Sequence, residues 1–243
     1  MVSQLRRWDY RIDLSGLPNL EIFEVNGNFN RTLPIVFKTL LTLSAVPQLR
    51  SLSFTHAYCP DYAGILVKNF PNLESFRLSN WAMGNDQSRV AGAISVTLRG
   101  LPRLREFSVS FMHDFPMALS NADNVFGGAR CHSLRRLDIP TTFFHAGSVL
   151  GVLSRMFPEL EQLSICFSHL ATIYRLGRSV RFPKLYKLLV NGAAVNTEME
   201  RMHFQNFISR FPCLRLCMIL GCQNETIEAL KLAFPNIIFW NHS

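Results

Sequence analysis

The chain has 243 residues, 48% of them hydrophobic, which is ample material for a buried core, and a formal charge of +8 that favours acidic partners. No apolar run reaches the roughly 18 residues of a membrane span, the first residues lack the apolar core of a signal peptide, and six irregularly spaced cysteines form no disulfide framework. These features argue against a secreted or membrane-spanning protein, and we expect a reducing location inside the cell, in the cytoplasm or the nucleus.

One phrase recurs along the whole chain. It consists of an apolar residue, Pro, a polar residue and then Leu-x-x-apolar-x-apolar, as in FPNLESFRL at residues 70–78. In chain order its copies begin at Leu17, Val46, Phe70, Leu101, Cys131, Phe157, Phe182, Phe211 and Phe234. The average interval is about 27 residues, which lies in the range of leucine-rich repeats. We therefore predict a single repeat domain over residues 1–243, with an N-terminal cap at 1–16, about eight repeats from residue 17 and a truncated ninth repeat at 234–243.

Each phrase predicts a short strand. Its last apolar residues alternate with polar ones, which is the period of a strand that buries one face. Pro lacks an N–H and resists helix continuation, so it separates the preceding helix from the strand that follows. The predicted inward side chains are Leu20/Phe23/Val25, Leu49/Leu52/Phe54, Leu73/Phe76/Leu78, Leu104/Phe107/Val109, Leu134/Leu137/Ile139, Leu160/Leu163/Ile165, Leu185/Leu188/Val190 and Leu214/Cys217/Ile219.

The segments between the phrases mostly predict helices, because their apolar residues recur three and four positions apart. This period is found at residues 33–40, 90–98 and 204–211. Thr197 and Glu200 have the spacing of a capping box ahead of the third helix, and Asn224 is predicted to cap a last one. Pro116 and two glycines interrupt residues 112–130, so a short helix and a loop are expected there.

Strands that alternate with helices predict an α/β fold with a parallel sheet and right-handed crossovers. Parallel strands stack about 4.8 Å apart, whereas the helices need more width, so the stack has to bend. We therefore predict a right-handed βα leucine-rich-repeat solenoid of horseshoe shape, with the sheet on the concave face and the helices on the convex face.

The repeated phrase and its long period resemble the intracellular leucine-rich-repeat proteins, from about Leu17 to Phe239. The irregular spacing and the recurrent FPxLxxLxL are most similar to the repeat regions of F-box proteins, particularly those abundant in fungi. In that family an N-terminal F-box docks the adaptor of a cullin–RING ubiquitin ligase, while the repeats hold the substrate. The resemblance implies a recognition module and adds ubiquitin-ligase subunits to the candidate partners.

Two features depart from this family's pattern. The column in which a leucine-rich repeat carries Asn or Cys reads Asn28, Ala57, Trp81, Met112, Thr142, Ser168, Ala193 and Cys222. Only 16 residues precede the first phrase, which is too few for an F-box. Adaptor docking is therefore not carried over to this chain, which is expected to be either a repeat-only relative or a piece of a longer gene product.

The outward positions of the strands are predicted to line the concave sheet. They are rich in serine, which leaves room for a partner protein, and they carry four charged residues suited to orienting it: Arg77, Glu106, Arg136 and Asp138. Tyr58 and Trp81 lie on the predicted loops that leave the strands and are candidate anchors on the adjoining rim. The alternative is a solvated face that only keeps the protein in solution.

Toward the C terminus the outward positions become apolar, at Leu189, Leu216, Met218 and Leu220. Exposed apolar patches usually mark interfaces. A C-terminal tail folded over the sheet, or ordinary burial within an irregular last repeat, would also explain them.

The densest local charge is a run of five cations spaced three residues apart, Arg175, Arg178, Arg181, Lys184 and Lys187. Such a run suggests an anion-binding patch for phosphate, nucleic acid or an acidic protein surface. However, the first of these residues are predicted on a helix and the last on a strand, so the spacing does not place all five on one face. No stacking aromatics accompany them, and nucleic acid is not the partner that we expect.

The chain carries no motif for catalysis: no Gly-rich phosphate loop, no G-x-S-x-G and no H-E-x-x-H. Cys213, Cys217 and Cys222 have a spacing loosely compatible with zinc, but Cys217 is predicted to point into the core. We therefore expect no enzyme activity, no cofactor and no metal. The predicted function is protein recognition on the concave face, with substrate selection for a ubiquitin ligase as its narrower form. A self-associating scaffold and a basic anion binder are the alternatives, and the sequence does not identify the partner.

Overall fold

The computed structural model describes residues 17, 19–25, 46–55, 62–81, 87–111, 122–139, 146–166, 180–191, 195 and 197–242. Within them, nine strands and six helices follow one another along the chain. The strands are β1 (Ile22–Val25), β2 (Ser51–Thr55), β3 (Ser75–Trp81), β4 (Glu106–Phe111), β5 (Arg136–Asp138), β6 (Gln162–Cys166), β7 (Lys187–Asn191), β8 (Leu216–Leu220) and β9 (Ile238–His242). The helices are α1 (Tyr62–Asn69), α2 (Gln87–Gly100), α3 (Ala122–Phe126), α4 (Ala146–Met156), α5 (Glu198–Ile208) and α6 (Asn224–Ala233).

All nine strands form one parallel sheet in the order of the sequence. Equivalent positions of successive phrases are paired, so that Leu52 lies beside Phe76, Phe76 beside Phe107 and Phe107 beside Leu137. The predicted α/β class, the parallel sheet and its construction from repeated strand–helix units are confirmed. The hand of the crossovers, the bend of the sheet and the division into one domain stay predictions, and the predicted cap at 1–16 lies outside the described residues.

A four-residue turn opens each phrase and explains its proline. The N–H of the first Leu donates to the carbonyl three residues earlier, as from Leu73 to Phe70 (3.0 Å) and from Leu104 to Leu101 (3.2 Å), and the same bond occurs in all nine phrases. Pro takes the second position of such turns readily, because its fixed φ suits that position and no N–H is needed there.

The residue before the proline ends the preceding helix. The N–H of Phe70, for example, donates to the carbonyl of Leu66 (2.9 Å), and that of Leu101 to the carbonyl of Thr97 (3.0 Å). Phe70 and Leu101 are themselves fully buried, so each closes the last helical turn and fills the core beneath the sheet. In these phrases the first residue therefore ends the helix, and the first four residues form the turn that leads into the strand.

The core lies between the sheet and the helices. Every predicted inward side chain of β2 to β8 is buried, with no more than 2% of its surface exposed, and these residues join the buried helix residues in one cluster. Leu20 and Phe23 of the first repeat are only partly buried. Helices α1 to α4 pack each against the next, and α5 packs against α6. The alternating pattern thus predicted which face of each strand is buried.

The helix starts show one correct and one wrong prediction. The capping box of α5 is present: Glu200 N donates to Thr197 Oγ1 (3.2 Å), and Thr197 N donates to Glu200 Oε2 (2.9 Å). Helix α6 instead has Gln223 at its N-cap, without a side-chain bond, and Asn224 is its first helical residue. Asn241 of β9 accounts for the difference, because its Nδ2 lies 2.6 Å from the Cys222 carbonyl and 3.5 Å from Asn224 Oδ1.

Of the remaining predictions of helices, strands and loops, one is confirmed and one is wrong. Residues 112–130 contain the expected short helix, α3, within their described part, whereas the predicted helix at 33–40 lies outside the described residues. Trp81 was predicted on a loop, but β3 extends to it after a register shift, and its backbone pairs with Phe111. Among the described helices, none is long and apolar enough to cross a bilayer.

Candidate functional site

The sheet has a face that points away from the helices, which we call the open face. Two rows of side chains cross it, because the register pairs equivalent positions of adjacent strands. The first row is Ile22, Ser51, Ser75, Glu106, Arg136, Gln162, Lys187, Leu216 and Ile238, and the second is Glu24, Ser53, Arg77, Ser108, Asp138, Ser164, Leu189, Met218 and Trp240. The four charged residues singled out by the sequence thus lie together on the adjacent strands β3, β4 and β5.

Serines on this face hold its carboxylates. Arg77 Nη2 donates to Glu106 Oε2 (2.7 Å), and Ser75 Oγ donates to the same oxygen (3.3 Å). One strand further along, Ser108 Oγ donates to Asp138 Oδ2 (3.1 Å). In the structure these two serines fix the orientation of charged groups, and the expectation that they leave space for a partner stays a prediction. The result is an ordered polar surface.

The carboxyl group of Glu106 has a lowered pKa. Burial raises the pKa, but the hydrogen bond and positive charge of Arg77, helped by Ser75 and by the charge of Arg136, outweigh burial and bring the pKa below its ordinary value of 4.5. The side chains of Arg77 and Glu106 are 40% and 38% exposed. Solvent screens such a pair, so it contributes at most about 1 kcal/mol to stability.

We expect Glu106→Gln to lower the free energy of unfolding by up to about 1 kcal/mol at pH 7. A lowered folded-state pKa stabilises above the unfolded-state pKa, and this stabilisation is lost as the pH falls below about 4.5. The difference between wild type and variant should therefore shrink in urea denaturation at pH 3.5. Glu24→Gln is the control, because Glu24 forms no ion pair with the described residues. A difference that persists unchanged at low pH would contradict the assignment.

Arg136 and Lys187 are the open-face cations without an ion pair among the described residues. They lie in the same row, with Gln162 between them. Arg136 acts on Glu106 through its charge, and Gln162 Nε2 donates to the hydroxyl of Tyr186 (2.5 Å). Since neither Arg136 nor Lys187 forms an ion pair with the described residues, the positive charge of both can also act on an incoming group on this face.

The five-residue basic run does not form one patch in its described part. Arg181 is exposed ahead of the turn that precedes β7, Lys184 lies in that turn and pairs with Glu159, and Lys187 lies on the open face. Arg175 and Arg178 lie outside the described residues, as does Tyr58. The side chain of Trp81 also lies outside the described part.

The C-terminal end of the open face is apolar. Leu189, Leu216, Met218 and Leu220 are half-buried there, as the sequence pattern predicted. Strand β9 adds Ile238 and Trp240, which are 69% and 57% exposed. We call these six residues the apolar patch. The exposure of Ile238 and Trp240 argues against ordinary burial in the last repeat, which was one of the alternatives.

A ladder of charges at the start of the strands was missed by the sequence analysis. It consists of the residue after the first Leu of each phrase, and its charged pairs are Glu21–Arg50 (4.0 Å), Arg50–Glu74 (3.3 Å), Glu74–Arg105 (3.8 Å) and Arg135–Glu161 (3.5 Å). The signs alternate from Glu21 to Arg105 and are opposite again at Arg135 and Glu161, and this pattern was the available signal. Tyr186 and Arg215 continue the column beside the apolar patch, and Arg215 forms no ion pair with the described residues.

The cysteines differ in burial, according to whether they face the core. Cys217 is fully buried and Cys213 is exposed, so their sulfur atoms point in different directions. Among the described residues, no group of three or more His, Cys, Asp or Glu side chains is arranged to hold a metal ion.

We expect an alkylating reagent to modify Cys213 in the folded protein, and Cys131 and Cys217 only after unfolding. Burial raises the pKa of the Cys131 thiol to about 12, and burial, followed by the neighbouring Cys222, raises the pKa of Cys217 even more. The reactive thiolate is therefore scarce at both buried sites near neutral pH. Peptide mapping by mass spectrometry with and without urea measures each site. Equal native labelling of Cys213 and Cys217 would contradict the placement of β8.

Comparisons with known proteins support the fold and leave the function open. No protein-family model matches the chain, and no curated protein matches it. Thirty-eight chains of known structure are similar in fold. One of them is a Bacteroides fragilis protein, whose crystal structure is 11% identical with a TM-score of 0.54 over 90% of this chain and 73% of that one. At this identity the likeness concerns the fold alone.

Proposed function

We propose that this protein is a non-catalytic recognition module of the leucine-rich-repeat type that binds a partner protein on the open face of its sheet. One observation carries the proposal: bonded charged groups and exposed apolar side chains share a single regular face. Protein interfaces combine these two features, since apolar contacts supply affinity and charges supply orientation.

The leucine-rich-repeat assignment is part of the proposal. The period of about 27 residues and the parallel strands in sequence order support it. In such a solenoid the crossovers are right-handed and the sheet is concave, so the open face would surround its partner. Selection of substrates for a cullin–RING ubiquitin ligase is the narrower form of this function, and the resemblance of the repeated phrase is its support. Co-purification of ligase subunits with the chain would test that form.

The two other functions have weaker support. Self-association as a scaffold is favoured by the apolar patch alone. Binding of a polyanion is favoured by the basic run, but Lys184 is already paired with Glu159, and Lys187 lies on a strand of the sheet, whereas Arg181 and Lys184 precede that strand. A partner protein accounts for both the charged and the apolar parts of the open face.

The test is affinity capture from cell extract with two matched variants. The first, Ser53→Glu with Ser164→Glu, places two bulky anions on the open face. The second, Gly92→Glu with Asn206→Glu, adds the same charge on exposed positions of helices α2 and α5. Quantitative mass spectrometry should find partners that are retained by wild type and the helix variant but lost from the open-face variant.

Circular dichroism spectra that match wild type establish that both variants remain folded. If all three proteins then capture the same set, the open face is not the recognition surface. Loss of capture by the helix variant alone would place recognition on the helices instead. Either result overturns the proposal.

A further inference from the structure

We propose that the open face between β5 and β9 binds a segment of the partner protein in which an acidic side chain is followed by apolar ones. This inference rests on the proposed function and names the chemistry of the partner. The acidic group would lie between Arg136 and Lys187, and the apolar side chains would lie on the apolar patch.

The second row of the open face changes from polar to apolar along the sheet. From β1 to β6 every residue of that row is polar or charged, and from β7 to β9 every one is apolar: Leu189, Met218 and Trp240. Monomeric proteins rarely expose contiguous apolar side chains on this scale without a binding role. Trp240 and Met218 are also residue types that interfaces favour. The apolar end therefore supplies contact area.

Positively charged side chains border the apolar patch. Lys187 is the direct register neighbour of Leu216, and Arg215 immediately precedes Leu216. Glu161, the carboxylate just before the neighbouring strand β6, already pairs with Arg135 (3.5 Å). Asp138 keeps its negative charge, since its hydrogen bond comes from the neutral Ser108 hydroxyl (3.1 Å), but it lies on β5, two strands away from Lys187. The border of the patch is consequently left with positive charge, which a carboxylate of the partner would neutralise.

The strand spacing determines how far apart the acidic and apolar residues of the partner should be. Arg136 and Lys187 are two strands apart, which is about 10 Å at a strand spacing of about 4.8 Å, so one carboxylate fits between them above β6. From β6 to Trp240 of β9 is three spacings, about 14 Å. An extended segment covers that distance in about four residues and a helix in about nine or ten. The acidic and apolar residues of the partner should therefore be separated by one of these intervals.

A second copy of this chain is a poorer occupant. In a twofold interface the same patch is used by both copies, so Lys187 and Arg215 of both copies would lie at one interface. Each copy also carries a formal charge of +8. Like charges across an interface are unfavourable, whereas an acidic segment removes the conflict.

The experiment is a selection of random sixteen-residue peptides displayed on phage against the full chain, followed by fluorescence anisotropy of the enriched peptides. We expect enriched peptides to combine Asp or Glu with Leu, Phe or Trp at one of the two intervals. Lys187→Glu should weaken their binding at least tenfold, and replacing the peptide's acidic residue by Lys should restore binding to that variant. Met218→Glu should weaken binding to a similar extent without such rescue. Salt should weaken binding to wild type.

The outcomes separate this inference from the proposed function. Peptides whose binding ignores Lys187→Glu and Met218→Glu overturn the inference, and if Ser53→Glu blocks them, open-face recognition stands at another position. Enrichment of no peptide overturns the inference, while the extract-capture experiment still decides the function. A dimer in light scattering that Met218→Glu dissociates would assign the patch to a second copy and overturn the inference.

Discussion

Replacing Leu188 by Asp is expected to unfold the protein, whereas the same replacement at Leu189 should leave it folded. The two leucines are adjacent in β7 but face opposite sides of the sheet. Leu188 is fully buried between Leu163 and Cys217, and Leu189 lies on the open face between Ser164 and Met218. The pair isolates the effect of the face, because residue type, substitution and strand are the same.

The expected loss of stability in Leu188→Asp is the sum of two contributions. Removing a buried leucine side chain costs about 2 to 5 kcal/mol, and a carboxylate buried without a partner adds several kcal/mol more. The sum is comparable with the whole stability of a typical domain, about 5 to 15 kcal/mol. At Leu189 the carboxylate remains in contact with water, so we expect a change within about 1 kcal/mol.

Circular dichroism and urea denaturation measure the effect. Leu189→Asp should also weaken binding of the peptides described above, since Leu189 belongs to the apolar patch. Binding cannot be measured with Leu188→Asp if that variant is unfolded. Peptide binding is therefore measured with Leu189→Asp, and stability is measured with both variants. Tolerance of Asp at position 188 together with unfolding at position 189 would mean that β7 has the opposite face buried.

The second large effect is expected for Phe107→Ala, a loss of about 3 to 5 kcal/mol in the free energy of unfolding. Phe107 is fully buried in β4 and lies beside Phe76 of β3, with ring centroids 6.1 Å apart. Phe76 in turn stacks on Tyr62 of α1 at 5.3 Å. Removing the Phe107 ring leaves a cavity and deprives the Phe76 ring of this neighbour.

Phe107→Leu and Ser164→Ala are the controls. The register neighbour Leu137 shows that leucine suits this row of the core, so Phe107→Leu should cost clearly less than Phe107→Ala. Ser164→Ala, on the open face, should change stability by less than about 0.5 kcal/mol. Urea denaturation of the three variants provides the comparison. Equal losses for Ala and Leu at position 107 would show that the aromatic ring is not part of a close-packed row.

The strands were predictable because burial follows a local period. Leu52 and Phe54, or Leu188 and Val190, are two residues apart and therefore share a face whatever lies elsewhere in the chain. The turn proline is local in the same sense, since the bond it accompanies spans three residues. The capping box at Thr197 and Glu200 is equally local, and the structure contains it.

The errors arose where distant residues compete. Asn224 has the sequence of a helix cap, but Asn241, 17 residues later, lies beside its amide in the structure. Trp81 follows what looked like the end of a strand, and pairing with Phe111 extends the strand to include it. In both cases a neighbour from another repeat changed the local preference.

The sequence by itself thus determined that the chain folds into repeated units, which residues each strand buries and that an apolar end follows a polar one on the open face. Only the tertiary structure decided which open-face groups meet. Arg77 and Glu106 are 29 residues apart in the chain and 2.7 Å apart in space, while Lys184 and Lys187 are three residues apart and lie on different surfaces. The reason is physical: burial depends on the period within one strand, whereas a hydrogen bond depends on the register between strands, which the lengths of the intervening segments and the packing of the core together set.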